Sequence, residues 1–322
     1  MFNAKILADS LSPDGIRLLT FEVTFPRIVL AEFNTHRMLS RNSASSRAIP
    51  VQKMIERVMT DPYIPSSWGK NQRGMQAEQD VTGKVGEAAR EQWLYALDSA
   101  VAHAEELLRL GIHKQLTNRL LEPFMWHTII VTATEWDNFF HLRNNPMAHP
   151  DIQIPAAMMQ ELYDNRRPRQ LQYGQWHLPL VTLEESGDVL PNMELDGEEP
   201  LAIEDACKVS VGRCARISYL THDGKRDLQA DIELHDRLLE SGHMSPFEHV
   251  ARPAEPDDWK KPEADVIVGE RIRYAQDIEI KDAGDGPYAW LPSALQWSGN
   301  FRGWVQYRKL IPGEADILGA QR

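Results

Sequence analysis

Between Arg17 and Phe25 the chain reads RLLTFEVTF, with Leu19, Phe21, Val23 and Phe25 at every second position. That period predicts a strand with one apolar face. Residues 3–8 read as a strand before it. Pro26 suits the first turn of a helix, so PRIVLAEFNTHRML, residues 26–39, is predicted to be helical. Residues 61–76 carry Pro62, Pro65, Gly69 and Gly74 and predict irregular chain. Over 79–111, Ala89, Trp93, Ala96, Leu97, Ala100, Ala104 and Leu107 fall at three- and four-residue steps, which predicts a long helix with that stripe inward. A shorter helical run, 113–121, stops before Pro123. A mixed apolar run follows over 126–142, towards FFHLR, and an amphipathic helix over 153–165.

After LPLVT the pattern changes. Residues 184–205 are acidic and hold Gly187, Pro191, Gly197 and Pro200, which predicts a surface linker. Beyond it lies CKVSVGRCARISYL, then a helix over 227–241 with Ile232, Leu234, Leu238 and Leu239 inward, ending at Gly242. Residues 252–264 read as a Pro- and acid-rich loop, 265–280 as a strand or short helix, and 281–300 as loop before NFRGWVQYRKL. There is no tandem repeat. The division is 1–183, a linker 184–205, and 206–322.

Composition sharpens this. The chain has 322 residues, 42% of them hydrophobic, enough for a sizeable core. No apolar run is long enough to span a bilayer and no signal-like N-terminus is seen, so no membrane is expected. The two cysteines, Cys207 and Cys214, make neither a disulfide framework nor a zinc site, and a reducing, cytoplasmic setting is expected. The 35 basic and 47 acidic residues leave a net charge of −12, the wrong sign for gripping nucleic acid.

Against that acidic background, THRMLSRNSASSR, residues 35–47, gathers His36, Arg37, Arg41 and Arg47 among four serines and Asn42. Guanidinium forks with hydroxyls suit a small anion; a solvated loop is the plainer alternative. Two further polar clusters exist: Arg119 with WDNFFHLR, holding Asn138 and Arg143, and GHMSPFEH, residues 242–249. Each alone is explained by surface charge or capping; Ser245 and Pro246 read as a capped helix start. G-x-G-x-x-G, G-x-x-x-x-G-K-[ST] and H-E-x-x-H are all missing from the sequence, and neither cysteine has a recognisable base nearby.

Together the three clusters resemble the flavin-dependent thymidylate synthases, whose signature runs R-H-R-x-x-S-x-N-x-x-S-x-R. His36, Arg37, Ser40, Asn42, Ser45 and Arg47 match it. NFFHLRNNPMAHPDI and SGHMSPFEH also resemble family segments. In the family the piece like ARISY…SGHMSPFEH precedes the signature, whereas here it follows. The resemblance therefore implies an α+β fold with a mixed or antiparallel sheet flanked by long helices, circularly permuted, with 206–322 the remainder of one domain. FRGWVQYRK resembles the stretch leading into the signature and reads either as a second copy of it or as a surface aromatic-basic strand. Three positions depart from the pattern: Thr35 for an arginine, Ser43 for an acidic residue and Glu32 for a glutamine.

The resemblance implies C5 methylation of dUMP to dTMP with FAD, NADPH and 5,10-methylenetetrahydrofolate, in a homotetramer with shared sites. By matching position, His36, Arg37, the backbone of Met38, Asn138, His243 and Ser245 would contact FAD. Ser45, Ser46 and Arg47, aided by Arg119, would hold the phosphate of a pyrimidine deoxynucleotide, and Arg143 would face the pyrimidine as the catalytic group. The departures bring forward a second chemistry, flavin- and folate-dependent hydroxymethylation of dUMP or dCMP. A non-catalytic flavin- or nucleotide-binding homologue is the alternative of another class.

Overall fold

The computed structural model of the protein describes residues 1–187, 200–217, 227–255, 258, 297–311 and 314. Five strands form its main sheet: β1 (Asn3–Leu11), β2 (Arg17–Pro26), β3 (Ser40–Ser43), β4 (Trp126–Ala133) and β5 (Arg169–Gln170). Their order is β3-β4-β2-β1-β5. All neighbours are antiparallel except β1 and β5. The expected mixed sheet in an α+β architecture is observed. Two short pairs join β6 (Ala251–Pro253) to β9 (Trp304–Gln306), and β7 (Trp297–Ser298) to β8 (Phe301–Arg302).

The predicted helix over 26–39 is replaced by shorter pieces. Pro26 closes β2, Arg27–Val29 form a 3-10 turn, and α1 covers Leu30–Asn34. The Thr35 hydroxyl donates to the Glu32 carbonyl at 2.6 Å, a local bond that competes with helix continuation. The chain then turns into β3, so the signature run is a strand rather than a helix end. Next come α2 (Val51–Thr60), α3 (Gly83–Arg109) and α4 (Lys114–Thr117), which passes into a 3-10 segment over Asn118–Phe124 containing Pro123. The stripe expected on α3 is narrower than predicted. Leu97 and Ala104 are buried, Ala96 is exposed, and the rest are half-buried, because α3 meets the body along one line through α2 and the 3-10 segment.

The mixed run after Trp126 resolves into β4 and α5 (Asp137–Arg143). Helix α6 (Pro150–Asn165) starts three residues earlier than predicted, with Pro150 in its first turn and His149 as N-cap. Helix α7 (Leu183–Ser186) and the first turn of α8 (Ile203–Arg216) fall inside the stretch read as linker; residues 188–199 lie outside the described residues. Helix α9 (Leu228–Glu240) buries Asp231, Leu234, His235 and Leu238, while Ile232 and Leu239 are half-buried. Residues 245–248 form a 3-10 turn with Met244, not Ser245, at the N-cap. The elements expected over 265–280, and most of the loop over 281–300, lie outside the described residues.

The sheet is covered on both faces, which the alternation in β2 did not reveal. On one face Leu19, Phe21, Val23 and Phe25 join Ile129, Val131 and Ala133 under Phe33, Trp136, Phe139, Ile152 and Met159 from α1, the β4–α5 turn, α5 and α6. The opposite face carries Thr20, Glu22 and Thr132, and these are buried too. Cys214 and Ile217 from the end of α8 pack on Ile130, and Phe301 and Trp304 pack on Leu18. Threonines and histidines fill the space between in a hydrogen-bonded line. Ser10 Oγ meets His177 Nδ1 at 2.9 Å, and His177 Nε2 meets Thr20 Oγ1 at 2.8 Å. Thr20 Oγ1 meets Thr132 Oγ1 at 2.7 Å, and Thr132 Oγ1 meets His249 Nδ1 at 2.8 Å. Burial pushes both histidines down to about 3 and keeps them neutral, with His249 and Arg169 close by adding to the effect at His177. His127, on the other face beside Phe25, is lowered to about 3 by burial and by Arg27.

Helices α8 and α9 cross where Gly212 meets the backbone of Asp231. A Cβ on Gly212 would lie 2.3 Å from the Asp231 carbonyl oxygen. The same crossing buries the Asp231 carboxylate, which accepts from Arg213 Nε and Arg216 Nε, while Arg213 also donates to both Glu185 oxygens.

Gly212→Ala should therefore force the two helices apart and cost about 1–3 kcal/mol in urea unfolding. His127, His177 and His249 make a second prediction. Each has a folded value below its unfolded one, so its stabilising contribution is complete above about pH 6.5 and is lost as pH falls towards 3. At pH 5 unfolding should take up roughly three protons through them, lowering stability by about 4 kcal/mol per pH unit. Urea titrations between pH 7 and 4.5 measure this; a flat profile would show that the histidines are not held neutral.

Candidate functional site

Strand β3 sits at the sheet edge, Ser40 to Ser43 facing Thr132 to Ile129 of β4. The chain leaves it as a loop, 44–49, that a buried amide fixes in place. Asn118 Nδ2 donates to the Ser46 carbonyl at 2.7 Å and to the Ile49 carbonyl at 2.9 Å. Lys114 Nζ adds a bond to the Ala48 carbonyl at 3.0 Å. These contacts hold Ser45, Ser46 and Arg47 on the wall of a cleft of about 650 Å³. Arg27, Arg41, Arg119, His113, His243 and Ser245 line it as well. Six of the residues singled out in the sequence therefore share one cleft: Ser45, Ser46, Arg47, Arg119, His243 and Ser245. The cleft concentrates four guanidinium groups in an acidic chain, which suits an anion.

A carboxylate tempers that charge. Glu122 Oε1 accepts from Arg119 Nη1 at 2.6 Å, from Ser46 Oγ at 2.9 Å and from Arg27 Nη2 at 3.5 Å. Arg47 is exposed and has no carboxylate partner among the described residues. Glu122 and Arg27 were not singled out by sequence. The one signal available was the three-residue spacing of Arg119 and Glu122, which places both on one side of a helical turn.

The remaining predicted residues gather elsewhere. Arg143, at the end of α5, donates through Nε to His36 Nε2 at 2.8 Å. It also donates through Nη2 to the Thr35 hydroxyl at 2.9 Å and to the Glu32 carbonyl at 3.1 Å. Two positions that depart from the signature, Glu32 and Thr35, are thus gripped by one arginine. Because a guanidinium can only donate, His36 Nε2 must be the acceptor and its proton sits on Nδ1. Burial, with Arg143 and Arg41 close by, lowers His36 to about 4 and keeps it neutral. Arg37, Met38 and Asn138 are exposed. Arg143 does not line the cleft that holds Arg47. Arg41 connects the two places: it lines the cleft, and its Nη1 donates to the His36 carbonyl at 2.6 Å.

The C-terminal third returns to this region. Asn42 Nδ2 donates to the Cys214 carbonyl at 2.8 Å, and Ser245 Oγ donates to Asn42 Oδ1 at 3.3 Å. Gln306 Nε2 and Asn300 Nδ2 donate to Ser40 Oγ at 3.0 and 3.1 Å. Arg308 instead pairs with Glu248. Both cysteines are buried. Burial and Glu204 push Cys207 up to about 12, and burial pushes Cys214 higher still, so neither thiol is poised as a thiolate. Among the described residues no cluster of His, Cys, Asp or Glu could hold a metal, and no helix is long and apolar enough to cross a membrane.

Comparison with known proteins bears on this arrangement. No curated protein matches the chain in sequence. Two solved structures of a UMP/dUMP methylase, PolB from Streptomyces cacaoi, one bound with 5-Br UMP and one with 5-Br dUMP, are similar to part of it. They are 17% and 16% identical, cover 51% of this chain and 88% and 90% of their own, and both superpose with a TM-score of 0.42. The family model described as thymidylate synthase complementing protein matches residues 15–169, from the turn before β2 to the first residue of β5. That stretch, just under half of the chain, contains the whole run from His36 to Arg47 and is similar to the thymidylate synthase complementing protein family.

Proposed function

We propose that the protein is a flavin-dependent enzyme that transfers a one-carbon unit to C5 of dUMP, giving dTMP. The observation that carries this is the cleft itself. Ser45 and Arg47, from the family signature, open onto it beside Arg41 and Arg119 and face His243 and Ser245 from the far end of the chain. The 5′-phosphate lies against Ser45, Ser46 and Arg47, with Arg119 supplying a further charge. Arg143 faces the pyrimidine through Nη1, since its Nε and Nη2 are engaged with His36, Glu32 and Thr35.

The residues suit FAD. Arg37 offers an exposed guanidinium without a carboxylate partner among the described residues, the exposed Met38 offers its backbone, and Asn138 offers an exposed amide. His36, neutral with its proton on Nδ1, adds a donor, and His243 and Ser245 contribute from the cleft. When bound and reduced by NADPH, FAD supplies reducing equivalents and mediates one-carbon transfer from 5,10-methylenetetrahydrofolate. The protein's own part is to bind, to orient and to exclude water. Two buried, protonated thiols fit chemistry that needs no cysteine nucleophile.

Arg37, Met38 and Asn138 face outward, apart from the cleft that holds His243. A site shared between chains of a homotetramer joins the two groups. Val85, Tyr95, Leu108, Leu110 and Leu116, exposed along α3, its C-terminal turn and α4, offer apolar surface for such contacts. The bond from Ser245 to Asn42 supports a circular permutation, in which GHMSPFEH occupies its family place although it follows the signature in sequence. Thr35, whose hydroxyl Arg143 holds, supports the second chemistry, hydroxymethylation of dUMP or dCMP, because it alters the surroundings of the arginine that faces the base.

The deciding experiment incubates the protein with FAD, NADPH, methylenetetrahydrofolate and each deoxynucleotide in turn, with mass spectrometry of the nucleotide. A methyl product from dUMP is expected. A hydroxymethyl product would establish the second chemistry, and an unmodified nucleotide with no NADPH oxidation would establish a binding protein. Arg47→Ala should weaken dUMP binding by roughly ten- to a hundredfold, the worth of a charge-assisted phosphate contact, while FAD affinity changes little. Equal loss of both ligands in calorimetry would mark Arg47 as structural.

A further inference from the structure

We propose that Glu122 is a specificity-determining residue: an internal anion that occupies the cleft's cations and holds off small phosphates until a ligand with further contacts displaces it. The proposal deepens the reading of the cleft as a nucleotide site and rests on it.

Its basis is the convergence of three donors on a single oxygen. Arg119 Nη1, Ser46 Oγ and Arg27 Nη2 all point to Glu122 Oε1, at 2.6, 2.9 and 3.5 Å. Each of these three residues lines the cleft. Ser46 is 8% exposed, so its hydroxyl has little access to water as a substitute partner. The arrangement satisfies donors that an incoming phosphate needs, and it places a negative charge beside the phosphate position. Neutralised in this way, Arg27 and Arg119 attract a free dianion less than two bare guanidinium groups would. Arg47, unpaired among the described residues, remains as the first point of contact. A nucleotide gains from its base and sugar what inorganic phosphate lacks, so the nucleotide can meet the cost of displacing the carboxylate where inorganic phosphate alone cannot.

Glu122→Gln keeps the size of the side chain and an oxygen acceptor for Ser46 and Arg119 but removes the charge. Calorimetric titration with inorganic phosphate should show binding roughly five- to tenfold tighter than in the native protein, with the gain shrinking as sodium chloride is raised. A purely structural role for Glu122 would leave phosphate affinity equal or weaker, and either result overturns the proposal. So does failure of both proteins to bind phosphate. If thermal melting shows that Glu122→Gln is unfolded, Glu122→Ala is judged by the same criterion. A parallel titration with dUMP separates the two ideas. Tighter phosphate binding with no dUMP binding by either protein would sink the nucleotide reading and leave Glu122 in its role. Normal dUMP binding with unchanged phosphate affinity would do the reverse.

Discussion

The side-chain amide of Asn42 holds three parts of the chain at one point. It is 4% exposed, its nitrogen donates to the carbonyl of Cys214 at the end of α8, and its oxygen accepts from Ser245. A buried amide left without these partners would cost about 1–3 kcal/mol, so the strand, the helix end and the 3-10 turn are drawn together. This junction brings Ser245 and the neighbouring His243 across from the C-terminal third to β3, whose place at the sheet edge is set by β4, while Asn118 fixes the loop that carries Ser45 and Arg47.

The back of the sheet obeys the same constraint. Thr20 and Thr132 face a layer of helix and loop instead of water, and they are tolerable there because histidines complete their hydrogen bonds. A polar line of this kind adds directionality where apolar packing alone would permit sliding.

Periodicity made β1, β2, α3 and α9 legible in the sequence, because each presents a regular face to a single core. It failed where tertiary pairing decides conformation. Nothing within THRMLSRNS favours a strand; β4, nearly ninety residues on in the chain, imposes it. The polar face of β2 looked like a solvent face because Thr20 and Glu22 are polar, and only distant residues show that it is covered. The cleft was visible as a list of cations and hydroxyls. Glu122 was not, since a carboxylate three residues from an arginine on a helical turn is ordinary, and its hold on Ser46 and Arg27 depends on the loop that Asn118 ties down.

The two ends of the sheet carry a consequence for the chain's behaviour in a crowded solution. Its outermost strands are the shortest, four residues in β3 and two in β5, while β2 is paired along its length with β1 on one side and β4 on the other. A molecule seeking to add its own strand finds both edges of β2 already taken. The protein's most β-prone segment, RLLTFEVTF, is thereby kept from templating aggregates once the sheet has closed around it.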